Sequence, residues 1–400
     1  MGLSVKPVPR ALLLFALVLA AINLRPGITS LAPLIERIAE ELALSRSLIS
    51  LTTALPVLCM GLLAPVAPRL ALALGLERTI ALCLGTIALA LLLRLAGQAS
   101  SILIASAVLL GAAIAVAGPL LSGFIKRYFF GQMGRVVAWY SLGMAIGGAA
   151  GAVLTAPATH LFHDSWSQGL AVWALPALLA LLLWLCLPNQ PEPVDAAEAK
   201  AGLPWDQPRA WLVSGFFAIQ AGLFYALATW VVARYHEAGL TLLHSNTLFS
   251  LSMLMGLPSS FLLPWLAQRF DRYLLLLACG LLACLSLAMI TFLPTFWPEL
   301  WALTIGFGLG GSFALSLVLP LYEAGSPLAV SRWTAMMLGT GYSMACLTPI
   351  LTGLARDLAG DYRLPFVVLT GLAALMTVLA WLLSREPRCA VHVGPKNEKS

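Results

Sequence analysis

Charge is what this chain has least of. Only 10% of its 400 residues are charged while 60% are hydrophobic, at a mean hydropathy of +0.92. Soluble domains carry about 25% charged residues, so this composition excludes a soluble protein. Carboxylates are scarcer still, and all of them sit at segment ends, in loops or in tails. Of the seven cysteines only Cys389 lies outside an apolar stretch, and their spacing fits neither zinc ligation nor extracellular disulfides. The five histidines (160, 163, 236, 244 and 392) fall in loops and the tail; His160 and His163 beside Asp164 read as a solvated loop before a metal site. There is no phosphate-binding loop, zinc motif or Ser-His-Asp set. An enzyme, a cofactor and a bound metal are therefore not expected.

What the chain does have is long apolar runs. Allowing about 20 residues per crossing, twelve spans are predicted at roughly 10–32, 47–68, 78–96, 101–123, 136–158, 169–187, 209–233, 246–268, 273–293, 299–320, 332–354 and 364–384. The expected fold is all-α, a polytopic helical bundle in the lipid bilayer. Residues 188–208 form the one long polar linker. It divides the chain into an N-terminal six-helix half (1–187) and a C-terminal six-helix half (209–385), followed by a tail (386–400).

Lysine and arginine set the orientation. With both termini inside, sixteen lie on inner segments and six on outer ones, and Arg25 alone lies within a span. The positive-inside rule then puts the termini, the linker and the tail in the cytoplasm. Topology accounts for the net charge of +6, and no nucleic-acid partner is implied.

The halves echo each other. "PRA" opens the first span at Pro9 and the seventh at Pro208, while Ser50, Leu51, Leu62, Leu63, Ala67 and Arg69 match Ser250, Leu251, Leu262, Leu263, Ala267 and Arg269 at an offset of 200. Arg135 and Arg332 open the fifth span of each half. Near-constant offsets across several spans indicate a duplicated six-helix unit. The same echo argues that residues 10–32 are a retained helix and no cleaved signal peptide.

"INLRP" at 22–26 is the sharpest local signal. An arginine near mid-membrane costs about 2.5–3.5 kcal/mol even on the lenient insertion scale, so it faces a cavity or a partner. No span offers it a carboxylate, and its planar fork suits a small flat or linear anion. Snorkelling to the outer headgroups is the competing reading. Pro26 frees the Ile22 carbonyl and kinks the helix; Asn23 either mends that backbone or touches the ligand, and Thr29 shares the arginine's face. Thr53, Tyr140, Gln220, Phe224 and Tyr342 are further wall candidates from the second, fifth, seventh and eleventh spans, with Thr52, Tyr225 and Ser316 near them. The glycines at 143, 147 and 151, and those at 306–311, predict close helix packing.

Two six-helix halves joined by a linker resemble the major facilitator superfamily, whose repeats rock about a midplane site. The loop after the second helix resembles that family's charged motif only partly: Gly75, Glu77 and Arg78 are present, but its Asp is missing. A charge latch at the inner gate is expected from Arg69, Glu77, Arg78, Arg269, Asp271 and Arg272, against a reading as ordinary anchoring charges.

"NLRP", "LTTALPVLCMG" (51–61), "PLLSGFIKRYF" (119–129), "WALPALLALLLW" (173–184) and "GFGLGGSFAL" (306–315) are similar to the cyanate permease branch, which includes nitroimidazole exporters. The resemblance implies a bacterial inner-membrane, multi-pass monomer that carries a small anion such as cyanate. It also implies that Asn23, Arg25 and Pro26 belong to the central site, with Lys126 and Arg127 at the inner end of the fourth helix. Export of small aromatic drugs and a non-transporting membrane sensor are the alternatives.

Overall fold

The computed structural model describes residues 8–42, 46–96, 99–188 and 200–385, and every regular element among them is a helix. Eleven helices are long and apolar enough to cross a bilayer. Arg10–Thr29, Ala54–Leu74, Leu76–Ala96, Ser100–Tyr128, Phe130–His160 and Trp166–Leu185 precede the long connection. Pro208–Glu237, Leu242–Leu266, Arg272–Phe292, Pro298–Glu323 and Arg363–Arg385 follow it. One further crossing consists of two helices, Pro327–Ala345 and Leu347–Ala359, that meet at Cys346. It runs longer than the expected 332–354 and is broken in the middle; counted as one, it is the eleventh of twelve.

Helices are the form hydrocarbon permits, because each backbone N–H and C=O must bond within its own segment. Their starts carry local signals. Pro26, Pro208, Pro298 and Pro327 stand in the first turn, where a missing N–H costs nothing. The side chains of Thr241, Asp271 and Ser326 cap the eighth, ninth and eleventh helices.

The first helix is interrupted as Pro26 predicts: it runs from Arg10 to Asn23, breaks at Leu24–Arg25, and resumes at Pro26–Thr29. The fifth helix lies along the break. A Cβ on Gly147 would collide with the Ile22 carbonyl, the group that Pro26 deprives of its partner. Gly143 and Gly151 pass the Val18 carbonyl and Pro26 on the same side, less tightly. The glycine stripe is thus the groove into which the broken helix is pressed. In the other half, Gly306 and Gly310 admit the backbone of the eighth helix at Ser252 and Gly256 in the same way.

Each half also carries a buried carboxylate bonded to a tyrosine on the neighbouring helix. Glu77, 2% exposed at the start of the third helix, accepts from the Tyr128 hydroxyl at 2.6 Å and pairs with Arg127 at 3.3 Å. Glu323, at the end of the tenth helix, accepts from Tyr273 and pairs with Arg209 at 2.5 Å. Glu77 and Tyr273 are 196 residues apart, and Tyr128 and Glu323 are 195 apart. The acid and the phenol have changed places between the repeats.

At the end of the bundle that carries the linker, the two sets of six are closed on each other. Lys126, 4% exposed, donates to the Leu321 carbonyl at 2.8 Å, joining the fourth helix to the tenth. Gly123 lies against Ser331 and the Pro327 carbonyl of the eleventh helix, and Gly134 against the Pro264 carbonyl of the eighth. Trp139 meets Phe261 edge to face, ring centres 5.3 Å apart.

Candidate functional site

Arg25 stands in the break of the first helix, half-buried, with its Cβ against the open face of Gly148. Its guanidinium does not reach outward. It lies 5.4 Å from the centre of the Phe313 ring, on the tenth helix across the seam. That contact rules out snorkelling. Among the described residues no carboxylate is within ion-pair distance of Arg25.

Tyr140, Tyr225 and Tyr342 arrive in the neighbourhood of Arg25 from the fifth, seventh and eleventh helices. Tyr342 is buried and meets Phe217 edge to face at 5.3 Å, and Phe217 in turn packs on Phe313 at 6.2 Å. Five helices, two from one half and three from the other, therefore converge on one cation through an aromatic shell. A charge held against ring faces and phenols is poorly hydrated, which favours a compact anion that brings its own negative charge.

Several expected wall residues stand elsewhere. Asn23 is 3% exposed and donates to the Leu19 and Pro176 carbonyls at 2.8 and 3.1 Å, so it backs the last turn before the break and ties the first helix to the sixth. Thr29 bonds back to the Arg25 carbonyl at 3.2 Å and packs on Gly151. Gln220 is a packing residue: its amide donates to the Leu309 carbonyl at 3.0 Å and joins the seventh helix to the tenth. Phe224 turns from the cation into a small apolar cleft with Phe249 and Met253, and only its edge contact with Tyr225 links it to the group. The Thr53 side chain lies outside the described residues.

Several of the charges expected to latch the inner gate have partners within their own half. Glu77 binds Arg127 and Tyr128 of its own half, and Asp271 caps its own helix at the Tyr273 N–H, 2.9 Å away. Arg269 and Arg272 lie over the rings of Trp265, Tyr273 and Tyr322. Arg78 is exposed and engaged by a neighbour, and Arg69 lines a cavity at the linker end. Lys126 is bonded to the opposite half.

Two features were not foreseen. Phe313 was hidden because an aromatic residue in an apolar run offers no contrast. Arg94, counted with the outer loops, is 1% exposed; it donates to the Gly27 carbonyl at 2.9 Å and to Ser106 at 3.1 Å. It clamps the stretch just beyond Pro26, and its place near a helix end disguised it as an anchoring charge. Among the described residues no cluster of side chains has the composition of a metal site.

Twelve crossings in two sets of six, closed at one end over a cation at mid-bundle, define a polytopic transporter that works by alternating access. Residues 13–331 match the Major Facilitator Superfamily model, and the chain belongs to that family. It is 33% identical over 353 residues to the cyanate transport protein CynX of Escherichia coli (strain K12), covering 88% of this chain and 91% of that protein. It is 27% identical to the 2-nitroimidazole transporter of the same organism, covering 94% and 96% of the two chains. The crystal structure of the E. coli fucose:proton symporter FucP superposes with a TM-score of 0.75 at 13% identity, over 93% of this chain and 98% of that one. The protein is a multi-pass membrane transporter of small substrates and not an enzyme.

Proposed function

We propose that this transporter carries a small inorganic anion of the cyanate type, with Arg25 as the anchor. The observation that carries the reading is the Arg25 guanidinium, set at the seam against Phe313 with no carboxylate partner among the described residues. An anion 4 Å away gains about 4 kcal/mol at an effective dielectric of 20, and the planar guanidinium fork suits a small linear anion. The CynX relative, described as a cyanate transport protein, supports this choice. Residues 1–187 and 209–385 act as the two rocking units about the 188–208 linker, with both termini cytoplasmic in a bacterial inner membrane. The chain works as a monomer, without nucleic acid. Closure through Lys126 at the linker end then corresponds to a site open to the outside.

The aromatic shell favours a second reading, a small nitroaromatic that stacks on Phe313 and Tyr342. The 2-nitroimidazole relative supports it. Purified protein in liposomes separates the two. Cyanate flux is expected in the native protein, none in Arg25→Ala and at most about a tenth in Arg25→Lys, since lysine lacks the planar fork. Full cyanate flux in a folded Arg25→Ala variant would rule out the anchor, and nitroimidazole flux without cyanate flux would transfer the site to the second reading.

A further inference from the structure

A cavity of about 470 Å³ lies at the linker end, well away from Arg25. Its wall is assembled from three separate stretches: Arg69 and Pro65 from the second helix, Arg332 from the eleventh, and Lys200, Leu203 and Trp205 from the end of the linker. Among the described residues three cations line it and no acidic residue does. Arg332 is 6% exposed and held by a neighbour, whereas Arg69 and Lys200 are exposed.

We propose that this cavity binds a phosphate-bearing anion, and that its occupation holds the linker-side gate shut. Three positive side chains converging on one concave space raise the local potential and draw in an anion. The exposed Arg69 fork and Lys200 ammonium match the acceptor oxygens of a phosphate group, and the buried Arg332 adds its charge to the wall behind them. The volume exceeds what a bare phosphate needs, and the remainder of the wall is apolar, through Pro65, Leu203 and Trp205. Basic pockets between membrane helices that combine these traits take phospholipid headgroups. Both halves and the linker build the wall, so the cavity is complete only while this end is closed. A ligand that binds one state draws the equilibrium toward it.

The inference is independent of the transported substrate. Its test uses the purified full-length protein in a neutral detergent, with phosphatidylglycerol, zwitterionic phosphatidylethanolamine and inorganic phosphate as probes. Phosphatidylglycerol should raise the melting temperature by roughly 3 °C or more, and Lys200→Glu should abolish the rise. A matching rise with inorganic phosphate assigns the site to a soluble anion, and a rise with phosphatidylglycerol alone assigns it to lipid. In the unmodified protein, the active probe should also slow tryptic cleavage after Lys200 at least about tenfold by covering that side chain. The proposal fails if phosphatidylethanolamine acts as strongly, if Lys200→Glu responds like the native protein, or if cleavage at Lys200 is not slowed.

Discussion

A cation inside a membrane protein needs a reason to stay charged and a reason to stay in place. For Arg25, Phe313 and Gly148 fix the position, and on the proposed reading a bound anion serves the charge. Phe313→Ala should therefore leave folding intact and weaken substrate binding. A cation–ring contact worth about 1 kcal/mol predicts a roughly fivefold rise in KM, measured as initial uptake in liposomes. Phe313→Tyr, which keeps the ring, should stay near the native value; equal KM for all three would show that the ring contributes nothing. Arg25 was legible in the sequence because a charge in an apolar run is costly and conspicuous. Phe313 and Phe217 were not, since apolar residues among apolar residues carry no pattern that says which neighbour they face. A polar side chain in a span, such as Asn23 or Gln220, stands out equally whether it waits for a ligand or bonds a neighbouring helix.

At the scale of the element, a helix break costs hydrogen bonds and lets another helix come close. The first helix loses its regular path at Leu24–Arg25, and the fifth supplies three glycines at the four-residue interval that puts them on one face. Gly147→Leu should drive a side chain into the Ile22 carbonyl and lower stability by about 2 kcal/mol or more. Gly131→Ala, where nothing lies within 4 Å, should be neutral. Melting curves of the two variants in detergent check this; equal melting temperatures would mean the groove is looser than described. Helix positions were largely legible, because length and hydropathy are imposed by the bilayer. The eleventh crossing was the exception: Ser331, Arg332, Thr334, Thr340, Ser343 and Thr348 dilute its apolar character, and Pro349, which leaves the Ala345 carbonyl without its partner, is the one mark of the break at Cys346.

For the whole molecule, the decisive balance is between closure at one end of the seam and closure at the other. The Lys126 bond to the Leu321 carbonyl joins the two halves at the linker end, and a charged hydrogen bond is worth roughly 1.5–3 kcal/mol. Lys126→Met should shift the population toward opening at the linker end by about tenfold or more. The measurement is the labelling rate of a cysteine placed at Ser331, which faces Gly123 across that seam, in a chain whose own cysteines are replaced. A rate unchanged by Lys126→Met would remove the lysine from the gate. The exchanged carboxylate and phenol of the two halves bear on how such a molecule is read at all. What the duplication has preserved at these four positions is a bond between neighbouring helices, with the letters at its two ends transposed. Similarity scored position by position records two mismatches there and misses the relationship. It also follows that none of Glu77, Tyr128, Tyr273 and Glu323 is conservatively replaceable alone: matching one to its counterpart in the other half sets two acids or two phenols face to face.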